Sequence, residues 1–287
     1  MAKRNIGEKL FKWAEDLFPI NRSLSGDGVR QTLSYLKEIL PKIQIKSFKS
    51  GTKVFDWVVP KEWKIKKAFI KDSNGNLIVD FEKNNLHIVG YSASINKKLN
   101  YHELIKKLHY LKEQPNAIPY LTSYYEENWG FCLSYNDFLK LDKKQTFHAY
   151  IESDLFDGVL NYGELIIPGK LKKEVILSTY ICHPSMANNE LSGPIVSTAL
   201  AEWLLKKPRR YTYRILFLPE TIGSIAYLSR NNNYQKLKKN VIAGFQITCI
   251  GDPHGCSFLT SRLENTYADK VVSFYLEDKK IDHIKYP

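Results

Sequence analysis

Cysteine is scarce in this sequence, and its placement excludes more than its number does. Cys132, Cys182, Cys249 and Cys256 are scattered with no CxxC pair among them, so neither a disulfide framework nor a thiolate zinc ribbon is expected. A chain of 287 residues can build a core without such staples, and the thiols are expected to be reduced and mostly buried. Cys182 stands beside His183, but neighbours on a strand face opposite ways, which argues against a cysteine nucleophile paired with a histidine base. Long apolar runs are lacking too. The start, MAKRNIGEKLFKWAEDLF, mixes charge with bulk at helical spacing where a signal peptide would be uniformly apolar, and no later run could span a bilayer. A cytoplasmic protein with no membrane partner is expected. There is no arginine-rich arm and no RNP-like aromatic motif, so the formal net charge of +12 reads as a solvated lysine-rich surface, with nucleic-acid binding the lesser alternative.

What is present is an ordered succession of elements. The stretch SLSGDGVRQTLSYLKEILP sets Val29, Leu33, Leu36 and Leu40 at three- and four-residue steps between turn residues and Pro41, the pattern of a capped amphipathic helix. From about residue 51 the texture becomes β-rich, in short runs such as KIKKAFI and NLIVDF, with Asn74-Gly75 as a hairpin signal. YHELIKKLHYLKEQ is expected to be a helix within this part. Beyond residue 160, apolar strands (ELIIPG, EVILSTYIC, YTYRILFLP, VIAGFQITCI) alternate with helical stretches (PIVSTALAEWLL, IGSIAYLSRN, NTYADKVVSFYLED). That alternation predicts an α/β fold with a mostly parallel sheet covered by helices on both faces.

Ligands of such sheets bind outside the carboxyl ends of the strands, and three of those ends carry polar groups. They are His183 with Asn188, Asn189 and Glu190; Glu220-Thr221; and Gly251-Asp252 with His254. Imidazole and carboxylate are the usual zinc ligands outside thiolate sites, and a catalytic zinc needs about three protein ligands and a position for water. Each group also has a plainer reading. His183 could finish a turn, Glu190 could favour the following helix through its macrodipole, Asn188 or Asn189 could cap it, and Asp252-Pro253 could start a turn. Their coincidence at successive strand ends favours a site.

In this order the chain resembles the zinc-dependent aminopeptidase superfamily of leucyl aminopeptidases and glutamate carboxypeptidases. His183, the NNELSG turn with Ser192-Gly193, and PETIGSIAYL with Glu220 carry the resemblance. More closely, FPINRSLSGDGVRQTL, WVVPKEW, TSYYEENWGFCL, CHPSMANNELSG and PETIGSIAYL look like signature blocks of a bacterial aminopeptidase-like family with an inserted β-rich domain. The resemblance implies an aminopeptidase-like domain from 1–50 and 150–287, an insertion over 51–149, and zinc as one or two ions. It makes His183 a metal ligand and puts Glu190 or Asn189 at the place of the bridging carboxylate, which falls to Glu190 as the metal ligand because Asn189 is neutral, with Asp252 a displaced third near Thr248, and Glu220 either a ligand or the general base. Asn188, Asn189, Tyr125 and Glu127 become substrate contacts, and Glu126 or Glu127 would receive a free amine.

The sequence departs from the pattern at three places. Asn189 is a neutral amide where an aspartate is expected, Pro219 replaces the first glutamate of a pair, and the chain stops at DHIKYP before the late loop that carries the last metal histidine. A fragment or a shortened product is therefore expected. The first reading is a zinc-dependent hydrolase of amide or peptide bonds; the second is a catalytically weakened relative that binds or regulates. Assembly into homo-oligomers stays open.

Overall fold

The computed structural model describes residues 5–124 and 126–287. Two helices lead, α1 (Ile6–Leu17) and α2 (Asp27–Ile39), the first capped by the Asn5 side chain. Val29, Leu33, Leu36 and Leu40 are all buried, as their spacing predicts.

The central sheet contains β1 (Gln44–Lys49), β2 (Val159–Ile167), β3 (Leu171–Tyr180), β4 (Tyr211–Leu218) and β5 (Val241–Gln246), in the spatial order β1-β2-β4-β3-β5. β3 runs parallel to β4 and to β5, whereas β2 is antiparallel to both β1 and β4. The sheet is therefore mixed, which corrects the expectation of a mostly parallel one. The cause is the link Pro168–Lys170. A parallel return needs a crossover of a dozen residues or so, and this link has room only for a reversal. Gly169 permits it, since a Cβ there would lie 2.1 Å from the Tyr211 carbonyl oxygen.

The parallel trio β3, β4 and β5 is joined by true crossovers: α3 (Ser192–Leu205) between β3 and β4, then α4 (Ile222–Ser229) and the helix Asn233–Asn240 between β4 and β5. Alternation along β4 sorts the two faces. Ile215 and Phe217 join Leu33, Leu36, Ile195 and Leu204 under α1, α2 and α3. Leu216 and Leu218 join Ile222, Ala226 and Tyr227 of α4 on the other side. Both faces are thus covered. On the α4 face, Arg214 is held between Glu164 and Glu174, and Glu164 also accepts from Tyr227 Oη at 2.6 Å and pairs with Lys46.

Between β1 and β2 the chain builds a separate antiparallel sheet of four strands, ordered Leu77–Asp80, Glu62–Asp72, Thr146–Phe156, Ile95–Asn100. Gly75 has a φ of +86° in its hairpin turn, the conformation for which glycine is suited. The helix expected over YHELIKKLHYLKEQ is cut to Tyr101–Leu104, opened by a capping box of Asn100 and Glu103. A single 3₁₀ turn follows, and then Leu108 pairs with Phe131 as a strand and is buried. Tertiary pairing overrides the local helical preference there.

All four cysteines are free, with Cys132 and Cys182 buried, Cys256 partly covered and Cys249 exposed. Burial therefore extends to half of them, not most. Among the described residues no helix is long and apolar enough to cross a membrane.

Candidate functional site

The carboxyl ends of the parallel trio converge, and each leaves its strand through a turn with unusual backbone. Ser185, Thr221 and Cys249 have φ values of +40°, +56° and +51°. For the β-branched Thr221 this is a true outlier, and such residues, at a cost of about 1–3 kcal/mol each, tend to gather at functional sites. Between the first of these turns and α3, residues Ala187–Leu191 wind as one π-helical turn running directly into Ser192, another feature enriched at functional positions.

His183 lies at the centre, 7% exposed. Its Nδ1 is 3.2 Å from Glu190 Oε2 and 3.2 Å from Asn189 Oδ1, while its Nε2 is 3.0 Å from Glu220 Oε2. The rings of Tyr120 and Tyr180 stand against it edge-on, each with its centroid 5.0 Å away. Burial opposes the imidazolium, but the Cys182 and Glu190 side chains outweigh it and hold the ring's pKa above the ordinary value.

Glu190 neither caps α3 nor faces solvent. Its side chain is fully enclosed and meets Arg22, which is likewise sealed off, with Nε 3.5 Å from Oε1. Arg22 also donates to the carbonyls of His183 at 2.9 Å and Leu17 at 2.7 Å, fixing the entry to α2 against the end of β3. The Glu190 contacts at 3.2 and 3.5 Å are electrostatic, and both of its carboxylate oxygens lack a hydrogen bond. An unsatisfied buried acceptor costs about 1–3 kcal/mol, so the pocket has a donor-shaped gap at this carboxylate.

Cys182 also belongs here. β3 ends at Tyr180, so strand alternation no longer separates residues 182 and 183. The donor atoms of Cys182, His183 and Glu190 lie within 4.8 Å of one another, contrary to the opposite-face expectation. A buried imidazole, thiol and carboxylate around one point, with no hydrogen bond to the carboxylate oxygens, form a donor set that fits a zinc ion.

The other candidates sort by position. Glu220 stands at the mouth with its side chain half exposed, touching His183. Asn189 lines the pocket beside His183 Nδ1, and its carbonyl accepts from Thr248 Oγ1 at 3.1 Å. Asn188 is exposed and acts as a tether: its Oδ1 accepts from the Gly251 amide at 2.7 Å. Asp252 is not brought to the cluster. It lies on the exposed loop beyond β5 and accepts from the His254 amide at 2.8 Å, in a local turn. Thr248 pairs with the Tyr180 hydroxyl. Tyr125 lies outside the described residues. Glu127 and Glu126 are exposed on the rim of a cavity of about 370 Å³ lined by Trp63, Tyr91, Tyr124 and Ser153. Tyr124 connects that cavity to His183, because its hydroxyl is 2.9 Å from that of Tyr120.

Sequence reasoning missed Arg22 and Tyr120. Arg22 lies inside the quoted block FPINRSLSG, but no local spacing marks a buried arginine whose partner is 168 positions away.

Comparison with known proteins agrees with this architecture. The chain is 46% identical over 266 residues to a Clostridium acetobutylicum protein named "Putative polysaccharide biosynthesis protein with aminopeptidase-like domain", covering 93% of this chain and 60% of that protein. It is also similar to the crystal structure of a "putative peptidase" from Clostridium acetobutylicum, with a TM-score of 0.92 and 44% identity over 98% of this chain and 65% of that one. The chain thus spans less than two thirds of the length of either. BSAP, a zinc aminopeptidase from Bacillus subtilis, shares the fold at 12% identity and a TM-score of 0.67, covering 98% of this chain and 78% of that one. With residues 11–286 matched by its family model, the chain belongs to the family described as a domain of unknown function, DUF4910.

Proposed function

We propose that the cleft is the site of a zinc-dependent hydrolase of amide or peptide bonds, of aminopeptidase type. The observation that carries this reading is the Glu190 carboxylate, enclosed beside His183 with both oxygens lacking a hydrogen bond. The aminopeptidase-like domain in the name of a 46%-identical relative supports it. The reading takes residues 51–149 as a domain inserted into an aminopeptidase-like α/β domain, and treats the protein as cytoplasmic.

His183 and Glu190 would hold the ion. Zinc, when bound, would lower the pKa of a water toward neutrality and polarise the scissile carbonyl. The remaining work falls to the chain's own residues. Glu220 is half exposed at the mouth, and its carboxylate takes a proton from the attacking water and delivers it to the leaving amine. Tyr120 and Tyr180 flank the imidazole, limiting water and fixing the ring. The cavity under Tyr124 would receive the substrate, with Glu126 and Glu127 on its rim to attract a free amine. The substrate is a short peptide or an amide, including one carried on a sugar.

One observation favours a second reading, a binding or regulatory protein without turnover. Arg22 already compensates the charge of Glu190 from 3.5 Å, so the pocket has a cation without any metal. Elemental analysis of the purified chain beside His183→Ala separates the two. Near-stoichiometric zinc that disappears in the variant, together with hydrolysis of amino-acid amides, is expected. A folded chain with no zinc and no turnover would leave the binding reading.

A further inference from the structure

The geometry points to Cys182 as a direct ligand of the ion, which makes the centre a mixed thiolate, imidazole and carboxylate site. The inference rests on the zinc reading above and adds to it the identity of the third protein ligand. Cys182 has no solvent exposure and no disulfide partner, and its donor atom falls within 4.8 Å of those of His183 and Glu190.

Two further observations favour sulfur as a donor here. The backbone amide of Glu220 donates to Cys182 Sγ at 3.2 Å, orienting the sulfur and placing a positive dipole end against the charge that a thiolate would carry. In the same group, the fully buried Glu190 offers a carboxylate whose oxygens have ion-pair contacts to Arg22 and His183 but no hydrogen bond. Among the described residues no other histidine, cysteine, aspartate or glutamate joins this group. Glu220 contacts His183 but is not a member of the group, so it remains available for proton transfer while Cys182 completes the three protein ligands of a catalytic zinc.

Charge balance points the same way. Arg22 offsets the charge of Glu190 and the Glu220 carboxylate lies 3.0 Å from His183, so a dication held by Glu190 and a neutral imidazole alone would leave a net positive charge at the pocket. A thiolate reduces that excess. On binding, the Sγ–H bond breaks, its proton passes to solvent, and the sulfur lone pair forms the metal bond, with no change of oxidation state.

The test is replacement of zinc by Co(II) in the purified full chain, followed by absorption spectroscopy and elemental analysis. The expected result is one bound cobalt showing a thiolate-to-cobalt charge-transfer band in the near ultraviolet, absent from Cys182→Ser and retained in Cys132→Ser. Zinc affinity of Cys182→Ser should fall by more than the roughly 10–100-fold typical of losing a residue that merely supports a ligand. The wild-type band is informative even where the variant fails to fold. Stoichiometric cobalt without that band would overturn the thiolate ligand and leave the zinc reading standing. A folded chain that binds neither cobalt nor zinc would overturn both.

Discussion

Arg22 and Glu190 form an ion pair, 3.5 Å from Nε to Oε1, with neither side chain reaching solvent. Arg22→Met would leave the carboxylate buried without its cation and remove the hydrogen bonds to Leu17 and His183. Breaking a buried pair from one side costs about 3–5 kcal/mol, and urea unfolding should register a loss of that size. Adding Glu190→Gln in the same chain should restore part of it, a coupling that a double-mutant cycle reads directly.

Glu220→Gln makes a different prediction, because that side chain is half exposed and the amide oxygen of Gln can still accept from His183 Nε2 where the carboxylate now lies at 3.0 Å. Zinc content and thermal midpoint should stay as in the wild type, while turnover of an amide substrate falls by about 10²–10⁴-fold. An unaltered rate would remove Glu220 from the role of base.

At Gly193 the start of α3 is pressed against the sheet. A Cβ there would lie 2.2 Å from Thr179 Oγ1 and 2.3 Å from the Ile247 carbonyl oxygen. Gly193→Ala should therefore lift the helix start and cost about 1–3 kcal/mol as overpacking does. Because Glu190 lies in the turn that leads into α3, zinc affinity should fall with stability, as parallel melting and metal titrations would reveal.

Stability should also fall in acid through Glu164. Burial alone would raise the pKa of this carboxyl, but Lys46, Tyr227 and Arg214 outweigh it and hold the value below the ordinary range. A depressed folded-state pKa contributes stability above the unfolded value of about 4.3, and that contribution is lost as pH falls through the folded value. Melting curves from neutral pH downward should show the loss beginning below about pH 4.3, with a shallower decline in Glu164→Gln.

Much of the fold was legible locally. The steps from Val29 to Leu40 wrote α2, the helical stretch NTYADKVVSFYLED marked the last helix at Tyr267–Asp278, and Asn74-Gly75 placed a hairpin. Periodicity and turn chemistry act over a few residues, so they survive without tertiary context. The helix expected after Tyr101 failed where Leu108 found a strand partner 23 positions away, which no local pattern encodes. The direction of β2 was misread for a related reason: an apolar strand looks the same from either end, and only the shortness of the Pro168–Lys170 link shows that it reverses.

The sequence by itself determined the residue types at the strand ends, His183, Glu190 and Glu220, because a polar group closing an apolar strand is visible one-dimensionally. Tertiary structure alone decided which of them meet. It brought Arg22 from the first helical pair to Glu190 and turned Cys182 to the same pocket as His183 once β3 had ended. It left Asp252 on an exposed loop. Electrostatic and coordinative contacts act over a few ångströms through space, and the path of the chain between them is set by the packing of the sheet, not by the spacing of the residues.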